Sequence, residues 1–170
     1  GNETCAEAAL YADLEFFAGY PITPSTEIAE LLSYRLPRKG GKFIQMEDEI
    51  SSMCAIIGAS LTGKKVMTAT SGPGFSLMAE GLSWAGNCEV PLVITYYQRG
   101  APSTGLPTRH GQADLRFAVH AGHGEFPRIV LASGDIRECF YDAAAAFNYA
   151  ERYQMPVIHL IDKALANCSQ

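Results

Sequence analysis

A chain of 170 residues, 48% hydrophobic and 18% charged, can bury a core as one globular domain, which excludes a disordered tail. A formal charge of −5 without any local Lys/Arg cluster argues against nucleic acid or another polyanion as partner. No apolar run approaches the ~20 residues that span a bilayer, and no basic stretch leads into an apolar one as in a secretory signal.

In chain order, a helical pattern over Asn2–Leu14 leads into the apolar run Phe16–Tyr20. Pro24-Ser25 then opens a helix over Ser25–Leu36, with Ile28, Leu31 and Leu32 on its apolar side. Lys42–Met46 precedes a helix over Asp48–Leu61, and Val66–Thr70 precedes one over Phe75–Gly86. Leu92–Tyr97 is followed by a helix over Gln112–His120. Ile129–Ala132 leads through Ser133-Gly134-Asp135 into a long helix, Ile136–Gln154, with Phe140, Ala144, Phe147 and Ala150 in phase. Val157–Ile161 closes the series. The six short runs are rich in β-branched and aromatic residues, and each suits a strand buried on both faces. Such alternation predicts an α/β fold: a six-stranded, mostly parallel sheet with helices on both faces, as a single domain over residues 1–170. The chain opens at Gly1 without a Met, which suggests a piece of a longer subunit.

The polar and glycine-rich clusters all follow strands: Pro21–Thr26, Glu47–Glu49, Ser71–Gly74, Gln98–Gly105, Ser133–Asp135 and Asp162. Open α/β sheets bind ligands outside the carboxyl ends of their strands, so the chemistry collects on one rim.

Four of these clusters carry it. In Gly19-Tyr20-Pro21-Ile22-Thr23-Pro24-Ser25, two prolines stiffen a turn into a helix N-terminus, where backbone N–H groups favour an anion; a connection capped by Ser25 is the simpler alternative. Met46-Glu47-Asp48-Glu49 opens a helix with three acids, which the dipole alone could explain. Glu49 shares a helical side with Met53, however, and a carboxyl turned inward would hold its proton more tightly. Ser71-Gly72-Pro73-Gly74 permits close backbone approach to a ligand and is neither a dinucleotide fingerprint nor a phosphate loop; a tight turn is the plain alternative. Gln98-Arg99-Gly100-Ala101-Pro102-Ser103-Thr104-Gly105 offers a guanidinium fork suited to a carboxylate or phosphate, with no acid nearby in sequence until Asp114.

Five scattered cysteines without a C-x-x-C pair suggest neither a disulfide framework, a metal site nor an iron–sulfur cluster held by this chain, and they fit a reducing, cytoplasmic location. The four histidines show no zinc spacing, so no metal is expected here. No nucleophile elbow or Cys–His arrangement supports hydrolysis.

"GYPITPSTEIAE", "QMEDEI", "TATSGPGFSLM" and "QRGAPSTGLPT" occur in that order across the whole chain. Together they resemble the α subunit of 2-oxoacid:ferredoxin oxidoreductases, the 2-oxoglutarate type most of all. The resemblance implies a thiamine-diphosphate-binding fold of the pyrimidine-binding (Pyr) type. It places Glu49 as catalytic and cofactor-binding, meeting the aminopyrimidine ring, with Glu47 as the neighbouring candidate. It assigns the substrate carboxylate to Thr23 and Arg99, and sets Ser71, Gly72, Pro73 and Gly74 against the pyrimidine.

The implied reaction is oxidative decarboxylation of a 2-oxoacid (2-oxoglutarate or a broad range) to an acyl-coenzyme A, with ferredoxin as electron acceptor. The chain departs from the family in lacking the diphosphate-binding half and the cluster cysteines. A partner β subunit is therefore expected to supply the diphosphate site, Mg2+ and a [4Fe-4S] cluster, leaving this chain inactive alone. Two alternatives are a non-catalytic scaffold of the same fold and another thiamine-diphosphate decarboxylase; the second is disfavoured by the paired "YPITP" and "QRGAPSTG" motifs.

Overall fold

Six apolar runs become six strands in the computed structural model, which describes residues 1–168: β1 (Phe16–Gly19), β2 (Lys42–Gln45), β3 (Val66–Ser71), β4 (Leu92–Gln98), β5 (Ile129–Ala132) and β6 (Pro156–Asp162). They form one sheet in the order β2-β1-β3-β4-β6-β5, and every pairing is parallel. The centre of the sheet is buried and mostly apolar, with Thr68, Thr70, Thr95 and His159 as buried polar exceptions. Tyr96 and Tyr97 of β4 are both fully buried, and as sequence neighbours they point to opposite faces.

The edges differ from expectation. Burial on both faces holds for β3 and β4 throughout, whereas β2 leaves Lys42, Ile44 and Gln45 exposed and β5 is only half covered. An edge strand has a neighbour on one side only, and the helices centre over the middle of the sheet.

Around the sheet lie α1 (Asn2–Tyr11), α2 (Thr26–Arg35), α3 (Glu49–Ser60), α4 (Gly72–Asn87), α5 (Leu115–His120), α6 (Ile136–Tyr153) and a short α7 (Lys163–Ala166) that the periodicity did not predict. Cys5, Leu10, Ile28, Leu32, Cys139 and Phe147 put α1, α2 and α6 on one face. Met53, Ile56, Phe75, Met78, Leu82 and Ala118 put α3, α4 and α5 on the other. No helix among the described residues is long and apolar enough to cross a membrane.

Helix α2 follows β1 onto one face and α3 follows β2 onto the other, so the chain reverses direction across β1. Such a reversal opens a crevice between β1 and β3 at the carboxyl rim. Because β2, β1, β3 and β4 are adjacent, the segments bearing Glu49, Thr23, Ser71–Gly74 and Arg99 are brought side by side.

Three of the helices on this rim start on side-chain acceptors. Asp48 accepts from the Ser51 N–H at 2.7 Å, Asp135 from the Glu138 N–H at 2.7 Å and Asp162 from the Leu165 N–H at 2.8 Å. Each satisfies a backbone donor that the helix leaves orphaned. Asp135→Ala should lower stability by about 1 kcal/mol, read from the midpoint of urea unfolding at unchanged slope; no measurable loss would show that the cap is idle.

Candidate functional site

Arg99 stands one residue beyond β4 and is 5% exposed. Its Nη1 donates to the Thr23 carbonyl at 2.6 Å, while Nε is sealed from solvent and finds no partner. Burial works against the charge, yet a guanidinium does not deprotonate in a protein, so the cation persists with hydrogen-bonding capacity unspent. The structure thus joins Thr23 and Arg99 across 76 residues of sequence. Thr23 contributes its carbonyl; its side chain is exposed and makes no hydrogen bond among the described residues. Ser25 does not cap α2. Its hydroxyl donates back to the Ile22 carbonyl at 2.8 Å and ties down the turn that carries Thr23.

Arg99 is held by the loop that follows it. The Gly100 N–H donates to the Arg109 carbonyl at 2.8 Å and closes the neck of the loop. Gly111 packs directly on the Arg99 carbonyl, where a methyl group would stand 2.7 Å from that oxygen. Only a glycine permits this approach.

Glu49 is the first residue of α3. It is 5% exposed, while Glu47 and Asp48 are exposed, so the inward phase read from the sequence holds. Burial raises its affinity for a proton and the neighbouring Asp48 charge adds to this, while a hydrogen bond from its own backbone N–H works the other way. Ser71 ends β3, and α4 begins at Gly72, three residues earlier than the sequence pattern implies, because Pro73 is favoured in a first helical turn. Gly74 faces Glu49 across a gap too small for any side chain; a methyl group there would collide with the Thr70 hydroxyl and the Glu49 carboxyl. The Ser71 hydroxyl is buried without a partner.

Arg99, Gly72 and Pro73 line one cleft of about 250 Å³ with Ser76, Tyr96, Asp114 and Phe117. Glu49 is not among its walls; it lies beyond Gly74, on the far side of the Ser71–Gly74 turn. Sequence reasoning missed Tyr96 and Asp114. Tyr96 is hidden in an apolar strand, and Asp114 resembles any acid that starts a helix. Away from the cleft, Ser133 lies 2.8 Å from both Asp142 Oδ2 and His159 Nε2. There the hydroxyl, not the imidazole, takes the carboxylate, and His159 is fully buried and pushed down to about 4 by burial, so this is a core contact and not a nucleophilic triad. No group of three or more His, Cys, Asp or Glu among the described residues could hold a metal ion.

Residues 7–170 match the family model described as pyruvate flavodoxin/ferredoxin oxidoreductase, thiamine-diphosphate-binding. Over 98% of its length the chain is 55% identical to a 2-oxoacid:ferredoxin oxidoreductase subunit alpha of Aeropyrum pernix, covering 27% of that protein. It is 51% identical, again over 98% of its length, to a 2-oxoglutarate synthase subunit KorA of Methanothermobacter thermautotrophicus, covering 44% of it. A solved 2-oxoglutarate:ferredoxin oxidoreductase from Magnetococcus marinus, with 2-oxoglutarate, coenzyme A and succinyl-CoA bound, superposes with a TM-score of 0.95 at 50% identity. That superposition covers 97% of this chain and 29% of the other. The chain therefore spans less than half the length of these relatives.

The raised proton affinity of Glu49 has a stability consequence. A carboxyl whose folded pKa lies above its unfolded one stabilises below the unfolded value and loses that contribution as pH rises through the folded value. Glu49→Gln should therefore raise the thermal midpoint at pH 7.5, with the gain shrinking as pH falls toward the ordinary glutamate pKa of about 4.3. An unchanged midpoint at pH 7.5 would mean that Glu49 ionises at no cost.

Proposed function

The chain belongs to the thiamine-diphosphate-binding family of the pyruvate flavodoxin/ferredoxin oxidoreductases, and from that premise we propose that it is the pyrimidine-binding domain of the α subunit of a heteromeric 2-oxoacid:ferredoxin oxidoreductase. The complex oxidatively decarboxylates a 2-oxoacid, passes the acyl group to coenzyme A and gives two electrons to ferredoxin. The substrate is 2-oxoglutarate or a broader set of 2-oxoacids, in keeping with the names of the relatives. The observation that carries this is the buried Arg99 bound to Thr23, a cation with spare donors at the rim of the cleft.

The Glu49 corner fits an aminopyrimidine. Gly74 leaves a space that any Cβ would fill, and the carboxyl beside it holds a proton readily. When bound, thiamine diphosphate supplies a carbon nucleophile and an electron sink. Glu49 gives and takes a proton at a ring nitrogen through its carboxyl oxygen. Arg99 and the Thr23 turn hold the substrate carboxylate, since a planar fork matches two carboxylate oxygens. Ser71, Gly72, Pro73 and Gly74 bring backbone against the pyrimidine.

A β subunit supplies the diphosphate site with Mg2+ and a [4Fe-4S] cluster, completing an active site of which this chain holds half. The free state of Cys5, Cys54, Cys88, Cys139 and Cys168 supports a reducing, cytoplasmic setting.

Glu49→Ala in the assembled complex should lower 2-oxoacid-dependent viologen reduction by at least about a hundredfold while the subunits still co-purify. Activity within a few-fold of the unaltered complex would remove Glu49 from the chemistry. Arg99→Ala should raise KM for the 2-oxoacid by about tenfold or more and leave KM for coenzyme A unchanged; unchanged use of the 2-oxoacid would place the carboxylate elsewhere.

A further inference from the structure

Asp48, Asp135 and Asp162 spend their carboxylates on capping α3, α6 and α7. Asp114 holds the same position at α5, yet its side chain makes no cap bond. Its backbone N–H donates to Gln98 Oε1 at 3.0 Å, which anchors the residue through its main chain. The carboxyl turns into the cleft instead, beside the Tyr96 hydroxyl and over Gly72. A methyl group at Gly72 would stand 3.4 Å from Asp114 Oδ2 and 3.6 Å from the Tyr96 oxygen. Tyr96 is fully buried, and its hydroxyl completes no hydrogen bond. The ring is fixed by stacking on Phe75 at 4.4 Å, and Phe117 closes edge-on against Phe75 at 5.3 Å. A half-buried carboxyl that caps no helix and a buried phenol without a partner therefore border the cleft that Arg99 also lines.

A 2-oxoacid presents only acceptors at its reactive end: two carboxylate oxygens and the keto oxygen. One guanidinium can hold the carboxylate, but the keto oxygen needs a second donor. We propose that Asp114, backed by the Tyr96 hydroxyl, is a substrate-positioning residue whose protonated carboxyl donates a hydrogen bond to the keto oxygen of a 2-oxoacid held by Arg99. This rests on the functional reading above.

Burial raises the proton affinity of Asp114, and only the neighbouring Tyr96 hydroxyl works the other way. A bound carboxylate nearby shifts the balance further the same way. Among the groups that face it, α4 contributes uncharged Gly72, Pro73 and Ser76, and α5 contributes Phe117. The flank of β4 contributes Tyr96 and Arg99, and Arg99 already gives one N–H to Thr23. Arg116 on its own helix is exposed, and Glu49 lies beyond the Ser71–Gly74 turn. Ionisation of Asp114 thus turns a donor into a repelling charge, so affinity for a 2-oxoacid falls as pH rises through its pKa.

The test is calorimetric titration of the assembled complex with oxamate, an isostere of pyruvate that is not decarboxylated, from pH 5.5 to 8.5. Asp114→Ala should weaken oxamate by about tenfold at pH 6. Asp114→Asn keeps a donor without an ionisable proton, so it should bind within about threefold of the unaltered complex at pH 6 and lose the alkaline decline; a decline due to Glu49 would persist in it. In turnover, KM for pyruvate or 2-oxoglutarate should follow the same pattern, and KM for coenzyme A should not move. Three results would overturn the assignment: Asp114→Asn as weak as Asp114→Ala, Asp114→Ala unchanged, or the alkaline decline retained in Asp114→Asn. If the unaltered complex reduces viologen with a 2-oxoacid while any of these is seen, only the role of Asp114 fails. If it turns over no 2-oxoacid, the functional reading fails and takes this one with it.

Discussion

A guanidinium removed from water must be given an acceptor, and the end of β4 offers Arg99 none of its own. The acceptor comes from the Thr23 carbonyl at the end of β1, two strands away across β3. That bond fixes the Pro21–Ser25 turn against the β4 rim and aims what is left of the fork at the cleft. Without it the charge would be buried and unpaired, a state costly enough that neighbouring backbone would have to open to solvent. The Ser25-to-Ile22 hydrogen bond and the close packing of Gly111 on the Arg99 carbonyl hold the two partners in place from either side.

Between these partners runs the Ser71–Gly74 turn, with a carboxyl on each flank. Glu49 presses against Gly74 and Asp114 lies beside Gly72, and burial raises the proton affinity of both. Only Gly74 is bound to be a glycine by this packing, since a Cβ there would collide with the Thr70 hydroxyl and the Glu49 carboxyl, whereas at Gly72 it would meet Asp114 at an ordinary contact distance. The same arrangement costs stability, since neither acid is offered a strong partner within the chain. Elsewhere on the rim Asp48, Asp135 and Asp162 show the opposite choice, spending their carboxylates on helix caps. The contrast separates carboxylates committed to helix caps from two carboxyls that cap nothing.

Much of this was legible in the residues. The six strands stand where the apolar runs lie, and alternation with helices foretold the parallel sheet, because each parallel connection needs a crossover. The clusters around Thr23, Glu49 and Arg99 could be marked because they follow strands, the resemblance picked out the single residues, and the inward turn of Glu49 followed from its phase with Met53. Other features depended on distance in space. The exposure of β2 and β5 reflects strand order, which short apolar runs do not encode. The role of Thr23 as a backbone acceptor depends on a partner 76 residues away, and a carbonyl has no residue type. Asp114 looks like a helix cap in sequence, and only the geometry shows that its carboxyl is left unspent.

The account stands on one chain supplying both the proton-holding carboxyl and the anion grip of a shared site. Its most direct test is a structure of the assembled complex with thiamine diphosphate and a 2-oxoacid. Glu49 should lie within about 2.6–3.2 Å of a ring nitrogen of the aminopyrimidine, and Arg99 should contact the 2-oxoacid carboxylate while keeping its bond to Thr23. A pyrimidine ring met by some other acid, or a carboxylate bound away from Arg99, would contradict it.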